Sequence, residues 1–208
     1  MASAVDICNM ALVNLGDSAS ITSLSPPDGS AQAERCSRIY PVALHALLEV
    51  YPWSFATRQA QLVQFSNNDR EEWKFCYAAP ANTLRVLRVA QKGIRTLPPE
   101  YTREELNYDM GTNPDGKLCI YTNVADAVVL FITKDINMSI LSTNFEIALS
   151  WKISAMLAGP LLKGDSGGAV TQSCEKIASY WIEQAKTIDH KQHRGKRIFI
   201  PKAIAARF

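Results

Sequence analysis

The clearest candidate for chemistry in the sequence is the pentapeptide Gly-Asp-Ser-Gly-Gly at 164–168, the arrangement around the nucleophilic serine of chymotrypsin-like serine proteases. In such a site the serine hydroxyl attacks a carbonyl, a histidine takes its proton and a buried aspartate orients the histidine. The chain also has the matching order, with His45, then Asp126 or Asp135, then Ser166. Taken alone, these residues would make Ser166 the nucleophile of a hydrolase.

The segments on both sides of this pentapeptide indicate a different role. Apolar residues recur every three or four positions before it and again after it, which predicts two amphipathic helices. A glycine commonly ends a helix and Asp or Ser commonly caps the next, so Gly164 and Asp165 or Ser166 suit the turn between them. His45 lies in another predicted helix, and a triad requires a geometry that a five-residue match does not supply. We therefore predict a helix–helix connection and no catalytic residue.

Two other groups of residues could hold a metal ion or a proton, and both are better interpreted as solvated polar segments. His190 and His193, beside Asp189, have the spacing of two ligands, but a zinc site needs three or four and the sequence shows no partner cluster. The remaining carboxylate clusters lie in polar stretches where nothing would raise a pKa for acid catalysis; they are Asp69, Glu71, Glu72, Glu100, Glu104 and Glu105. We predict no metal, no cofactor and no enzymatic activity.

The composition is that of an ordinary globular protein that folds in a reducing compartment. The 208 residues are 47% apolar and 20% charged, enough to bury a core without disulfides or a metal. Five widely spaced cysteines favour buried free thiols; they are Cys8, Cys36, Cys76, Cys119 and Cys174. The N-terminus does not resemble a signal peptide, and the longest nearly apolar run, 124–133, is too short for a bilayer. We expect folding in a cytoplasm and no membrane contact.

The C-terminal segment, residues 190–208, is strongly basic, although the net charge of the chain is only +2. Its basic and apolar residues alternate, which favours a peptide that docks on a protein surface over an arm that binds phosphates by charge alone. Nucleic-acid binding and an unbound terminus are the alternatives. The candidate docking residues are Arg194, Lys196, Arg197, Ile198, Phe199, Ile200, Arg207 and Phe208.

Two helices are predicted in the N-terminal part. The first runs from Ser3 to Gly16, with a capping box at its start and a glycine at its end. The second runs from Ser30 to about Tyr51, and Pro41 within it predicts a kink or a break. The aromatic sequence Tyr51-Pro-Trp-Ser-Phe55 then ends the helix and predicts a packed corner between two parts of the fold.

The spacing of the apolar residues changes in the middle of the chain to that of strands, and it returns to helical spacing near residue 143. Short β-branched or aromatic runs predict a small antiparallel sheet; they cover 60–65, 73–78, 83–89, 118–122 and 125–133. A helix follows from Thr143, whose Thr-Asn-Phe-Glu146 predicts a capping box. The last helix, at about 168–188, has a regular apolar stripe predicted to face the core; its members are Val170, Cys174, Ile177, Trp181, Ala185 and Ile188.

These elements predict an α+β protein, a four-helix bundle with an inserted small antiparallel β domain and an extended C-terminal tail. Residues 1–56 and 138–189 would form the bundle, residues 57–137 the β domain and residues 190–208 the tail.

Several segments, in this order and spacing, resemble the tail tubular protein A family of short-tailed bacteriophages. The opening is similar in Asp6-Ile-Cys-Asn-Met-Ala-Leu-Val-Asn-Leu-Gly16, in Ala33-Glu-Arg-Cys36 and in Tyr51-Pro-Trp-Ser-Phe55. The centre resembles the family in Trp73-Lys-Phe-Cys-Tyr-Ala-Ala-Pro80 and Leu84-Arg-Val-Leu-Arg-Val89, and the helix at 145–162 resembles its third bundle helix. The tail is the least similar part.

The resemblance implies a head-to-tail adaptor of the virion. Copies of the chain, usually twelve, would form a ring beneath the portal protein, extend the DNA channel and receive the tail nozzle, tail tubular protein B. Genomic DNA would pass through the lumen without specific binding. Two other hypotheses remain: a serine hydrolase or wall-degrading tail enzyme that uses the 164–168 segment, and a small cytoplasmic DNA-binding protein.

Overall fold

The computed structural model describes residues 2–66, 68–92, 107–162 and 165–192, without the side chains at 165, 166 and 192. Over these ranges the protein is α+β, with four α-helices and two small antiparallel sheets. Two helices precede the strands and two follow them, as the sequence predicts. Within the same ranges, no helix combines the length and the apolar character needed to cross a membrane.

Helix α1 spans Ala4–Asn14 and has the predicted ends. The Asp6 amide donates to Ser3 Oγ at 3.1 Å, and the Ser3 amide donates to the Asp6 carboxylate at 2.8 Å, which completes the capping box. These hydrogen bonds lower the pKa of Asp6, the backbone bond from Ser3 contributing most. Gly16 follows the helix with φ of +76°, a conformation that glycine adopts without strain.

Helix α2 spans Ala31–Val50 and is capped by Ser30. Of the kink or break predicted at Pro41, the break does not occur, because the helix continues through this residue. Proline removes one backbone hydrogen bond. Cys36 before Pro41 and Leu44 after it are both buried in the core, and this packing stabilises the helix on both sides of the proline.

Helix α3 spans Thr143–Leu161 and lies in the middle of the helical layer, where it packs against α1, α2 and α4. The predicted capping box at Thr143 is wrong. The cap is Ser142, whose Oγ accepts a hydrogen bond from the Phe145 amide at 3.3 Å. Glu146 instead is buried and accepts from the Ala2 amide at 3.3 Å, so it ties the N-terminus to α3.

Helix α4 spans Asp165–Gln192, longer than the predicted helix at both ends. The face of α4 that is buried also differs from the apolar stripe predicted from the sequence. Cys174 and Ala185 are buried as expected, but Trp181 is only half-buried and Ile188 is 38% exposed. The buried positions on α4 are Gly167, Cys174, Ala178, Ala185 and Asp189. Most of them are small, so the backbones of α3 and α4 can approach closely while the larger residues flank the contact.

Seven strands form the two sheets. Their bounds are β1 Thr57–Gln61, β2 Val63–Gln64, β3 Phe75–Ala78, β4 Thr83–Gln91, β5 Tyr108–Thr112, β6 Leu118–Thr122 and β7 Ala127–Thr133. The first sheet has the order β1-β7-β4 and the second the order β2-β3-β6-β5, all antiparallel. The sequence predicts one sheet and misses β5. The predicted run at 60–65 divides at Leu62, so the chain passes from one sheet to the other within a few residues.

The first sheet lies between the helices and the second sheet. Ile132 on β7 belongs to the same core as the helices, and Leu84 on β4 packs against that core. Val129 and Phe131 on β7 belong to a second core, with Tyr77 and Ile120 of the other sheet. The protein therefore has three layers, and the two faces of the first sheet serve two different cores.

All five cysteines are buried free thiols, as the sequence predicts. Burial raises the pKa of Cys76 to about 11, with a further contribution from the neighbouring Cys119. A thiol with a raised pKa stabilises the folded state while it stays protonated. That contribution is complete below its ordinary value of about 9 and is lost as the pH rises through 11.

We predict that the stabilising effect of Cys76 disappears in alkali. The difference in the free energy of unfolding between the wild type and Cys76→Ala should narrow steadily from pH 8.5 to pH 11, measured by urea denaturation at each pH. Val86→Ala, which truncates a buried side chain that does not titrate, is the control, and its difference from the wild type should stay constant. Parallel curves for the two variants would contradict the prediction.

The glycines at the start of α4 give a second prediction. A Cβ on Gly167 would lie 2.5 Å from the carbonyl oxygen of Leu162, whereas nothing lies within 4 Å of a Cβ on Gly168. Gly167→Ala should therefore lower the free energy of unfolding by at least about 1 kcal/mol through overpacking. Gly168→Ala should raise it by about 0.5–1 kcal/mol, because alanine has the higher helix propensity. Urea denaturation of the two variants tests this, and shifts of the same sign would show that the close approach is absent.

Candidate functional site

All the docking residues predicted from the sequence, from Arg194 to Phe208, lie outside the described residues. The described part nearest to them is the C-terminal end of α4, which continues to Gln192. We call this end, together with the Tyr51–Phe55 turn and the residues packed on it, the tail root. Its geometry decides where the basic segment leaves the body of the protein.

A hydrogen-bonded contact between Asp189 and Ser54 fastens the tail root. Ser54 Oγ donates to Asp189 Oδ1 at 2.6 Å, and the Ser54 amide donates to both carboxylate oxygens at 3.2 and 3.3 Å. Asp189 is only 7% exposed. The contact joins residues 135 positions apart in the chain, so it fixes the last turns of α4 against the turn that follows α2.

Asp189 lies directly before the segment predicted to be solvated, and in the structure it is buried whereas His190 and Lys191 are exposed. This carboxylate continues the buried line of α4, four residues beyond Ala185. An acidic side chain near a helix C-terminus is unfavourable to the helix dipole. The three contacts from Ser54 offset this effect, which explains why the acid can lie here. The spacing of four from Ala185 was the signal in the sequence.

Aromatic side chains form the wall beside this contact. The Trp53 ring centroid lies 5.0 Å from that of Tyr51 and 5.0 Å from that of Phe145, both edge-on, and Phe55 lies 5.1 Å from Phe145. Trp53 is fully buried, and its Nε1 donates to the Leu47 carbonyl at 2.9 Å. The aromatic residues of Tyr51-Pro-Trp-Ser-Phe55 thus form a packed cluster, and this cluster joins α2 to the start of α3.

A cavity of about 740 Å³ opens on the outer side of the tail root. Its described lining residues are Tyr51, Lys186, Thr187, His190 and Lys191. Lys186 Nζ is held by Glu183 Oε1 at 2.7 Å, and the Thr187 hydroxyl donates to the Glu183 carbonyl at 2.9 Å. Burial raises the pKa of Tyr51, Asp189 adds to this rise and Lys186 opposes it, so Tyr51 keeps its proton and remains a donor at neutral pH.

A second, smaller cavity of about 200 Å³ lies on the other side of Asp189. Its lining residues are Ser54, Phe55, Ile140, Leu141, Ser142, Ile188 and Asp189. Ile140 is 49% exposed and Ile188 is 38% exposed, so apolar surface borders the tail root on this side. The larger cavity is therefore lined by basic side chains beside the Tyr51 ring. The smaller one combines the Asp189 carboxylate and two serines with apolar side chains.

The residues that imitate a protease triad are distributed over separate elements. Helix α3 ends at Leu161 and α4 begins at Asp165, so two helices meet at this segment as predicted. The predicted cap at Asp165 or Ser166 is wrong, because both residues already lie within α4. The backbone of Ser166 lies in the first turn of α4; Gly164 lies outside the described residues.

The partners proposed for that triad lie elsewhere in the fold. His45 is on α2, Asp126 is exposed in the turn before β7 with φ of +47°, and Asp135 accepts a hydrogen bond from Asn82 Nδ2 after that strand. Among the described side chains, no hydrogen bond joins His45 to either aspartate.

Asp69 has a structural role that the sequence does not reveal. The hydroxyl of the buried Tyr121 donates to Asp69 Oδ1 at 2.7 Å, and the Arg70 guanidinium lies 4.4 Å from the Tyr121 ring centroid and pairs with Asp109. A Cβ on Gly111 would meet that guanidinium, so a larger residue there would displace the end of the Arg70 side chain. These contacts hold the segment before β3 against the second sheet.

The other carboxylates and the proposed metal ligands divide between described and undescribed parts of the chain. Glu71 and Glu72 are exposed, whereas Glu100, Glu104, Glu105 and His193 lie outside the described residues. Over the described ranges, no group of three or more His, Cys, Asp or Glu residues is placed to hold a metal ion.

The tail root is therefore the strongest candidate for a functional site, and the function that its geometry supports is binding. It combines a fixed helix end with two cavities that differ in their linings, and the basic segment follows the same helix end in the chain. No protein-family model and no curated protein matches the chain.

The contact at the tail root gives a third prediction. Asp189→Ala would leave the Ser54 amide and hydroxyl without their partner in a buried place, which should lower the free energy of unfolding by about 1–3 kcal/mol. Glu49→Ala is the matched control, because it removes an exposed acid from the last turn of α2. It should change stability by no more than about 0.5 kcal/mol.

The same experiment separates the hydroxyl from the amide. In a double-mutant cycle measured by urea denaturation, Ser54→Ala and Asp189→Ala should couple by at least about 0.5 kcal/mol. Additive effects of the two substitutions would mean that the hydroxyl part of the contact contributes nothing to stability.

Proposed function

We propose that this protein is a head-to-tail adaptor of a short-tailed bacteriophage. In this proposal the four helices form a bundle, residues 57–137 are an inserted β domain and the basic C-terminal segment is an extended tail. Twelve copies of the chain form a ring between the portal protein and the tail nozzle, tail tubular protein B. The protein acts in the neck of the virion, after assembly in the host cytoplasm, and performs no reaction.

The observation that carries the proposal is the meeting of the resembling segments in one core. Cys8, Cys36, Trp53 and Phe145 come from four of these segments, and all four residues belong to the same buried cluster. The two central segments supply β3 and β4. The residues behind the resemblance are thus the ones that hold the helical layer together, which is expected of a shared architecture.

The helical layer supplies what a ring subunit needs mechanically. Helix α3 is buried on several sides by the other helices, and the contact of Ser54 with Asp189 fastens the long helix α4 at its far end. Subunits with such rigid bodies close into a ring when the rotation between neighbours allows it. A tail that starts from a fixed point on every subunit would add many weak contacts to the portal through multivalency.

The charge distribution agrees with a conduit for DNA. The C-terminal segment 190–208 has six Lys or Arg residues and no acid, which exceeds the net charge of +2 and leaves the rest of the chain mildly acidic. A lumen without a strongly basic surface would let DNA pass, because numerous phosphate contacts would retain it. The genome would therefore cross the ring without specific binding, while the basic segment contacts protein.

The test is removal of the segment after the end of α4. A chain that ends at Gln192 keeps the whole of α4, and we expect it to unfold at the same denaturant concentration as the full chain. It should fail to attach to portal-bearing capsids of the phage that encodes it, measured by electron microscopy and co-sedimentation. The full chain should be monomeric alone and should form rings on the same capsids. Attachment of the truncated chain at the wild-type level would contradict the assigned role of the segment.

Two full-length variants distinguish apolar docking from charge. Replacing Ile198, Phe199 and Ile200 by serine should abolish attachment, whereas replacing Arg194, Lys196 and Arg197 by glutamine should weaken it mainly at higher salt. If the wild type forms no ring on these capsids and instead binds DNA with a steep salt dependence, the adaptor proposal is wrong and the DNA-binding hypothesis gains support. Hydrolysis that disappears in Ser166→Ala would favour the enzyme instead.

A further inference from the structure

The larger cavity at the tail root has the size and the chemistry of a binding site for a short peptide. Its volume of about 740 Å³ lies in the range of ligand pockets, roughly 300–1,000 Å³. One wall is the Tyr51 ring, supported edge-on by the buried Trp53 at 5.0 Å, and the other is the last two turns of α4. Both walls are held in place by the packed cluster and by the Asp189 contact, so the cavity does not depend on a loop.

The donors of this cavity are positively charged or neutral, and several are available. His190 and Lys191 are exposed, and neither makes a side-chain hydrogen bond or an ion pair with another described residue. The Tyr51 hydroxyl is likewise without a hydrogen bond among the described side chains. Lys186 adds a third basic group, although Glu183 already holds it. An incoming carboxylate could therefore bind His190, Lys191 and Tyr51 without breaking any of the contacts described above.

We propose that this cavity binds an acidic peptide segment of a partner protein. The segment would place one carboxylate against Lys191 and Tyr51 and would lay apolar atoms on the Tyr51 ring. Charge complementarity selects this occupant, because basic groups attract acidic partners and repel the chain's own C-terminal segment, which is basic. A polynucleotide fits less well: the carboxylate of Glu183 lies beside Lys186, and only a few cations face the cavity.

If the protein is the proposed adaptor, the tail root has two roles: the basic segment follows it in the chain, and it carries the cavity. The basic segment would contact one partner, and the cavity would accept an acidic element of the same partner or of another one. This assignment rests on the proposed function only for the identity of the partner. The cavity itself can be tested on the isolated full-length chain.

The probe is a fluorescein-labelled eight-residue peptide of alternating Glu and Tyr, titrated with the full-length protein and followed by fluorescence anisotropy. We expect saturable binding that Lys191→Glu weakens at least tenfold and Tyr51→Phe weakens about threefold. Lys117→Glu makes the same charge change at an exposed position in the turn before β6, and it should alter the affinity by less than twofold. Lys191→Gln is a milder variant for the case in which the glutamate disturbs the helix end.

The possible outcomes distinguish peptide binding in the cavity from general charge attraction, from binding by the tail and from nucleic-acid binding. Equal losses for Lys191→Glu and Lys117→Glu would mean general charge attraction and would overturn the proposal. A loss caused by Arg194→Glu with Arg197→Glu, but not by Lys191→Glu, would move the site to the tail and also overturn it. Tighter binding of a labelled eight-nucleotide single strand, with the same sensitivity to Lys191→Glu, would replace the peptide by nucleic acid. Ring formation on capsids without peptide binding would reject the cavity and leave the adaptor proposal standing.

Discussion

The close approach of α4 to α3 is the constraint on which the helical part of the protein depends. Small residues face α3 along most of α4, and at Gly167 even one additional carbon atom would meet the carbonyl oxygen of Leu162. Because α3 also packs against α1 and α2, it becomes the shared centre of the layer. A long helix held this closely along its length moves with the body it packs on, so its far end has a defined position.

That far end is where the remaining features of the molecule meet. The Asp189 carboxylate binds Ser54, and Ser54 lies in the aromatic turn whose Trp53 contacts Phe145 at the start of α3. The end of α2, the start of α3 and the end of α4 are therefore connected through one buried cluster. The two cavities at this cluster differ in their linings: basic side chains lie beside Tyr51 in one, and Asp189 and serine hydroxyls lie beside Ile140 and Ile188 in the other.

A mechanical function suits this arrangement. The three layers place a helical body on one side of the first sheet and a second sheet on the other, and each side has its own core. Binding surfaces built on such a body would need no catalytic group, only a fixed position from which to contact their partners. The proposed adaptor uses the molecule in this way, with the helix end as the point from which both the basic segment and the cavity reach their targets.

Local properties of the chain could be predicted from the sequence, because they depend on neighbours in the chain. The capping box of α1, the glycine after it, the free buried cysteines and the change from helical to strand period all belong to this group. The connection of two helices at 164–168 also followed from the periodicity on both sides. The docking residues from Arg194 onward remain predictions, since they lie outside the described residues.

Only the tertiary structure decided which face of α4 is buried, why Pro41 does not break α2 and that the strands form two sheets. An apolar stripe shows which residues could face a core, but packing selects the face, and here the small residues of α4 lie inside while Trp181 lies on the flank. The contact of Ser54 with Asp189 joins residues 135 positions apart, so no local pattern could indicate that Ser54 is the partner of this carboxylate. The sequence by itself determined the order of helices and strands and the ends of α1. The folded chain decided the other boundaries and the contacts, because contacts between distant residues depend on the shape and volume of every side chain between them.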